Sequence, residues 1–253
     1  MLQELLTLNI FVFLLIFARI GTALMLMPGF GSGEVSPQIK LVIALGISFI
    51  LVPVLTATMP RLPTSAIGLG ILIAGEALIG AFFGSLSRIV AGALHVAGTV
   101  LSFVASLSNA FVQDPITEQQ SAALSGFLSI VGMVLIFATD MHHLMLRAVI
   151  ESYDIFKPTE VLLIGDLADS MARHVADAFT LGVQLSAPFI VLGMAYYVGL
   201  GILSRLMPAL PVFFIGMPLQ ITSHLAILAI GLTSLMMVFL SRFEAVYVGL
   251  LTP

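Results

Sequence analysis

The 253-residue chain contains no cysteine and no tryptophan, and only 9 of its residues are Lys or Arg against 13 Asp or Glu. Without cysteine there is no disulfide framework and no thiolate chemistry. With so few basic residues, and none in a run, there is no electrostatic footprint for nucleic acid. Charged residues make up 9% of the chain, where soluble domains average about 25%. Hydrophobic residues reach 60% and mean hydropathy is +1.18. This balance describes an integral membrane protein. Residues 41 to 60, 89 to 113, 178 to 204 and 206 to 241 contain no Asp, Glu, Lys or Arg. Each reaches or exceeds the roughly 20 residues a helix needs to cross hydrocarbon. The runs are continuous rather than alternating, so the expectation is helices and not a barrel. Before Leu5 there is Glu4 but no basic residue, which argues against a cleavable signal peptide.

What is present is punctuated by proline and glycine. A first span, about Leu8 to Met27, carries Arg19 and stops at Pro28-Gly29-Phe30-Gly31-Ser32-Gly33. A second is expected over Gln38 to Ala57, kinked or ended early by Pro53. The apolar stretch from Ala66 to Ser108 is too long for one upright crossing, so it must tilt, break or leave the bilayer. Within it Gly80 and Gly84 form a small-xxx-small pair that lets another helix approach closely. A polar stretch, Ser102 to Ser121, follows. Asp114-Pro115 breaks it, one helix being expected to end near Asn109 and the next to begin after Thr117. A helix is expected from Ala122 to Arg147 and a charged, amphipathic surface segment from Glu151 to Asp177. Residues 178 to 204 and 219 to 241 then form a closing hairpin across Arg205 to Gln220, where Pro208, Pro211 and Pro218 interrupt the helix. Six apolar segments put both termini on one side. Arg61, Lys157, Arg173 and Arg242 against Lys40 and Arg205 lean toward that side being cytoplasmic. No short repeat of the solenoid type is present.

Ionisable groups inside apolar helices are costly and point to function or to a partner. Arg19 and Glu76 are expected to pair, since a charge pair relieves the desolvation of both. Asp140, His143 and Arg147, spaced i, i+3 and i+7, share one face of the fourth helix, with His142 about a quarter-turn away. That face fits a structural polar network, with a proton relay as the sharper alternative. A metal is not expected there, because zinc wants further ligands and His95, His174 and His224 are scattered. No H-E-x-x-H motif, phosphate-binding glycine loop or activated serine is present. No cofactor is therefore expected. Thirteen Met and eighteen Phe supply adaptable packing. The lack of Trp weakens the aromatic belt expected of a protein surrounded by lipid.

Taken in order, several motifs resemble the FliR family of the flagellar type III secretion export gate. They are Arg19-Ile20 before Pro28-Gly29-Phe30-Gly31-Ser32, Glu76 with Gly80 and Gly84, Phe111-Val112-Gln113-Asp114-Pro115, Asp140 with His142-His143, and Arg205-x-x-Pro208 leading to Phe213-Phe214-x-Gly216-x-Pro218. The chain departs from the family pattern at Ala209, Pro211 and Gln220, the last standing where Lys is common.

The resemblance implies an all-α membrane protein of six long, broken or kinked helices arranged as hairpins. Residues 1–177 would be FliP-like and 178–253 a FliQ-like closing hairpin. It implies a non-enzymatic channel subunit of the bacterial inner membrane at the flagellar basal body, part of the assembly projecting toward the periplasm. Its partners would be FliP-like, FliQ-like and FlhB-like subunits and membrane lipid, with unfolded flagellar proteins as passing substrate. The stretch from Ser106 to Gln120 would be a plug facing the lumen, with Ser106, Asn109, Phe111, Val112, Asp114 and Pro115 at matching positions. Arg205, Pro208, Phe213, Gly216 and Pro218 would form the helix-break loop. The competing reading is a proton-coupled small-molecule transporter using Glu76, Asp140 and His143, although the repeated halves common in transporters are missing.

Overall fold

The computed structural model describes residues 2–33, 35–107, 111–113, 120–158, 160, 163–209 and 211–251. Seven α-helices dominate them: α1 Leu2–Leu26, α2 Pro37–Leu55, α3 Ala66–Val104, α4 Ala123–Ala138, α5 Met141–Ile155, α6 Ile164–Leu206 and α7 Val212–Leu251. Two three-residue strands, β1 Phe111–Gln113 and β2 Gln120–Ala122, pair antiparallel between α3 and α4, with Phe111 opposite Ala122. The protein is thus an all-α membrane protein with one short β-pair.

Each helix boundary has a local cause. After α1 the chain turns at Gly29, whose φ of 84° is unstrained only for glycine. The Ser32 hydroxyl and the Lys40 ammonium then donate to the carbonyls of Gly29 and Gly31, at 2.8 and 3.1 Å. Ser36 caps α2, accepting from the Ile39 N–H, and Pro37 stands at the first helical position, where its missing N–H costs nothing. Pro53 does end α2 early: two residues on, the helix tightens into a 3-10 turn at Thr56–Thr58.

α3 runs for 39 unbroken residues, about 58 Å at 1.5 Å per residue against a hydrocarbon thickness of about 30 Å. It stops five residues before Asn109, and α4 starts six after Thr117, so the interval between the two helices is longer than its proline alone implied. α6 is likewise continuous for 43 residues. The surface segment expected from Glu151 to Asp177 divides: residues 151–155 finish α5, where Ser152 and Tyr153 are buried, and the exposed residues 166–177 are part of the first third of α6 rather than a separate helix. The proline-rich loop narrows to residues 207–211. Pro218 does not interrupt the helix as expected but lies inside α7 as its seventh residue, where it removes one i→i−4 hydrogen bond without ending the helix.

Among the described residues, the six expected segments reappear unequally. Pro37–Thr58, Ala66–Val104, Ile164–Leu206 and Phe214–Leu250 are each long and apolar enough to cross a membrane. α4 and α5 qualify only as a broken pair, and α1 contributes the shorter apolar stretch Ile10–Leu26. The correction at α4 has a plain cause, since the chain breaks at Thr139-Asp140, where Asp140 takes a left-handed φ of 59°. Within the four spans only 22–28% of the most apolar window is buried by the chain itself, so their remaining surface faces lipid or other chains.

The chain forms two compact units of interleaved stretches. One comprises Met1–Val90, Thr139–Val175 and Glu244–Pro253, and the other Ala91–Ala138 and Ala176–Phe243. The first has its core where Val12, Leu15, Ile16 and Ile20 of α1 are buried along with Ile79, Phe83 and Leu86 of α3 and Met145 and Val149 of α5. The second buries Leu94 and Leu101 of α3, Leu128 of α4, Leu185 and Phe189 of α6 and Met236 and Phe239 of α7.

Candidate functional site

The first unit contains a buried ion pair. Arg19, fully buried on α1, meets Glu76 of α3 with both ends of its fork: Nε donates to Oε2 at 2.7 Å and Nη2 to Oε1 at 3.0 Å. The remaining donors turn to α5. Nη1 donates to the Ser152 hydroxyl at 2.9 Å and Nη2 to the Phe156 carbonyl at 2.9 Å, while the guanidinium carbon lies 3.7 Å from the centre of the Tyr153 ring. Three helices thus converge on one cation. Phe156 caps the end of α5, where unsatisfied carbonyls and the helix dipole favour positive charge. Bidentate geometry, stacking and the helix end together offset a desolvation cost that a lone Arg could not meet.

Glycine brings α1 and α3 this close. Glu76, Gly80 and Gly84 recur every fourth residue along one stripe of α3. A Cβ added at Gly80 would sit 2.1 Å from the Arg19 carbonyl oxygen and 2.1 Å from the Thr22 hydroxyl. At Gly84 it would meet the Ala23 carbonyl at 2.6 Å. The partner expected for the small-xxx-small pair is therefore α1, and any side chain there would pry Glu76 from Arg19.

Asp140, His143 and Arg147 do not join this cluster. Asp140 and His143 are 78% and 70% exposed, with the His143 Nδ1 3.5 Å from the Asp140 Oδ1. Arg147 pairs instead with Glu151, one turn on. A network joining all five residues assumes an unbroken helix; the break at Asp140 leaves two separate groups, one buried and one exposed.

The second polar focus lies in the other unit, at the root of the polar stretch. α3 ends in a Schellman arrangement: the Leu107 N–H bonds the Ser102 carbonyl at 2.8 Å and the Ser106 N–H bonds the Phe103 carbonyl at 3.2 Å. Ser106 takes the left-handed position, φ 61°, that glycine usually fills. This closure leaves the Val104 carbonyl open, and Gln220 of α7 fills it. Its amide Nε2 donates to the Val104 oxygen at 2.6 Å and to the Tyr197 hydroxyl of α6 at 3.0 Å. His224, one turn further along α7, faces the Gln220 carbonyl through Nδ1 at 2.8 Å. Gly193 on α6 leaves room for Val104, whose Cγ1 lies 2.1 Å from where a Cβ would stand. The closing hairpin therefore grips the last turn of α3 through one amide.

Of the other expected loop positions, Phe111 and Val112 form β1 with Gln113, whereas Asn109, Asp114 and Pro115 lie outside the described residues. At the helix break, Arg205 is exposed in the last turn of α6 and Pro208 stands in the turn. The Gly216 carbonyl accepts from the Tyr196 hydroxyl, which pins the start of α7 to α6. Phe213 belongs to the first turn of α7.

Several contributors escaped sequence reasoning. The Phe156 carbonyl is a backbone group with no sequence signature. Ser152 and Tyr153 fell in a stretch read as surface, although Met145, Val149, Ser152 and Phe156 recur at helical spacing and could have marked a buried face. Gln220 stood out only as a departure from a pattern.

These features define a polytopic helical membrane protein with two structural polar centres. The family described as "Bacterial export proteins, family 1" matches residues 10–246. The flagellar biosynthetic protein FliR of Caulobacter vibrioides is 38% identical over 236 residues, covering 93% of this chain and 94% of that protein. Proteins of the same name from Bacillus subtilis and Aquifex aeolicus are 27% and 24% identical, over 92% and 91% of this chain and 90% and 89% of theirs. The chain belongs to this bacterial export family. It is a membrane component of the flagellar export apparatus, and its spanning helices place it in the inner membrane.

Proposed function

We propose that this protein is a non-enzymatic subunit of the flagellar export gate. It forms part of the secretion channel together with FliP-like, FliQ-like and FlhB-like subunits, in an assembly that projects toward the periplasm. The segment from Ser106 to Gln120 is the plug that closes the lumen against ions and yields to an unfolded flagellar protein. The observation that carries this reading is the root of that segment, where α3 is capped and its last carbonyl is held by Gln220. A segment that swings needs a fixed base, and a capped helix end gripped by two neighbouring helices is one. The poorly covered apolar faces of the spans support neighbours of similar character, since lipid or protein must cover them.

Deleting Asn109 to Glu118 is expected to raise ion leakage through the membrane of cells that still assemble the complex. Normal assembly with an unchanged leak would remove the plug from the proposal.

The transporter alternative needs Glu76 as a free coupling group beside Asp140 and His143. Both Glu76 carboxylate oxygens are already bonded to Arg19. Glu76 does line a groove of about 1350 Å³ with Phe82, Phe83 and Asp154. Proton-coupled uptake by the purified chain alone would favour that reading.

A further inference from the structure

On an unbroken helix Asp140 and His142 would point to opposite sides, roughly 200° apart at 100° per residue. The chain is not helical there: α4 ends at Ala138, α5 begins at Met141, and Asp140 adopts φ 59° and ψ 15°. The left-handed residue re-aims the carboxylate. One ligand atom from each of Asp140, His142 and His143 then lies within 4.8 Å of the others. The two imidazole rings stand 4.1 Å apart, centre to centre.

Three further observations bear on what this cluster is for. Asp is commonly found at the start of a helix because its side chain caps the first N–H groups. Asp140 occupies that position at α5 and makes no such hydrogen bond, so its carboxylate is not engaged in capping. Arg147, the next Arg along α5, is turned to Glu151, and among the described residues the ion-pair partner of Asp140 is His143 rather than a Lys or Arg. The side chains of Asp140 and His143 are largely uncovered by the chain itself. Left-handed non-glycine residues are costly and persist where the surroundings, or a function, hold them.

We propose that Asp140, His142 and His143 form a three-ligand site for a borderline divalent transition cation, with Zn²⁺ as the fitting occupant. Two imidazoles and one carboxylate suit Zn²⁺, Ni²⁺ and Co²⁺, whereas Ca²⁺ and Mg²⁺ require oxygen shells. Tetrahedral coordination with bonds of 2.0–2.2 Å spaces ligand atoms by about 3.4 Å. The 3.5 Å between His143 Nδ1 and Asp140 Oδ1 meets that spacing as it stands. The ligand atom of His142 lies within 4.8 Å of the other two and closes to the same spacing by side-chain torsion. Water completes the shell. The bound ion ties the carboxylate at the α5 N-cap to the two imidazoles of its first turn, and so holds Asp140 in its left-handed conformation. This inference does not depend on the plug.

The test uses the full chain, purified without a histidine tag in detergent, titrated with Co²⁺ and followed by the visible absorption of the bound ion. One saturating equivalent, displaced by Zn²⁺, is expected. His142→Ala and His143→Ala should each lose it, while His95→Ala and His174→Ala should keep it. Asp140→Glu, which retains a carboxylate, should bind with an altered spectrum, and Asp140→Ala should not bind. Size-exclusion elution like that of the parent verifies that each variant is folded. The proposal is overturned if the parent gives no saturable spectrum, or if the spectrum survives in a folded His142→Ala, His143→Ala double variant.

Discussion

Arg19 in one unit and Gln220 in the other each tie three helices together, yet they do so with opposite chemistry. Arg19 is a full charge, and four hydrogen bonds plus a ring face satisfy it. Gln220 is neutral and makes two donations. Each unit also buries hydroxyl or ring groups with no hydrogen-bond partner among the described residues, the Tyr153 hydroxyl beside Arg19 in one and the Ser102 hydroxyl and His224 Nε2 in the other. A buried ion pair is all or nothing, because losing one member strands the other in low dielectric. A neutral amide bond is exchanged at modest net cost. The charged centre is therefore the costlier joint to break, and the amide at the root of the loop the milder one.

The largest expected effect comes from breaking the charged joint. Arg19→Met or Glu76→Leu alone should cost about 3–5 kcal/mol, because each leaves an unpaired buried charge. It should be read as loss of folded protein in detergent extracts. The double variant should recover much of that loss, and a double variant as unstable as the singles would show that packing, not charge, is what holds the joint. The neutral joint should break more gently. Gln220→Leu leaves the Val104 carbonyl without its side-chain donor, at about 1–3 kcal/mol. Its ion leak should rise toward that of the loop deletion, and Gln220→Lys, which keeps a donor, should restore the seal. Equal leak in both variants would separate the amide from the closure.

Two smaller changes sharpen the contrast. Ser106→Gly should stabilise the protein by about 0.5–1 kcal/mol in thermal unfolding, since glycine takes the left-handed cap without the penalty a Cβ brings. A destabilised variant would mean the serine side chain contributes to the loop. Arg147→Ala should cost only about 0.3–0.5 kcal/mol, because its exposed pair with Glu151 is of the ordinary helical kind. A loss comparable to that of Arg19 would mean that Arg147 is covered when the protein is assembled.

Much of this was legible in residue order. The Arg19–Glu76 pair follows from two charges in apolar helices that have no other means of neutralisation. The close approach at Gly80 and Gly84 follows from small residues four apart, and the first turn from Pro28-Gly29. The exposed face of residues 166–177 was visible in its alternating charges. Three things were not legible. The break at Asp140 carries no proline or glycine, so the chain reads as one helix from Ala122 to Arg147. The persistence of α7 through Pro218 runs against the local rule that proline interrupts a helix. The Gln220 to Val104 bond joins residues 116 apart in sequence through a backbone oxygen.

By itself the sequence determined that this is a helical membrane protein, where its apolar helices lie and that two of its buried charges must meet, because solvation in lipid permits few alternatives. The tertiary structure alone decided which backbone carbonyls those side chains reach, that α5 supplies the third wall of the Arg19 centre, and that Asp140, His142 and His143 converge. Those outcomes depend on a single left-handed residue and on helix ends meeting side chains from elsewhere in the chain, and neither is written in local composition or periodicity.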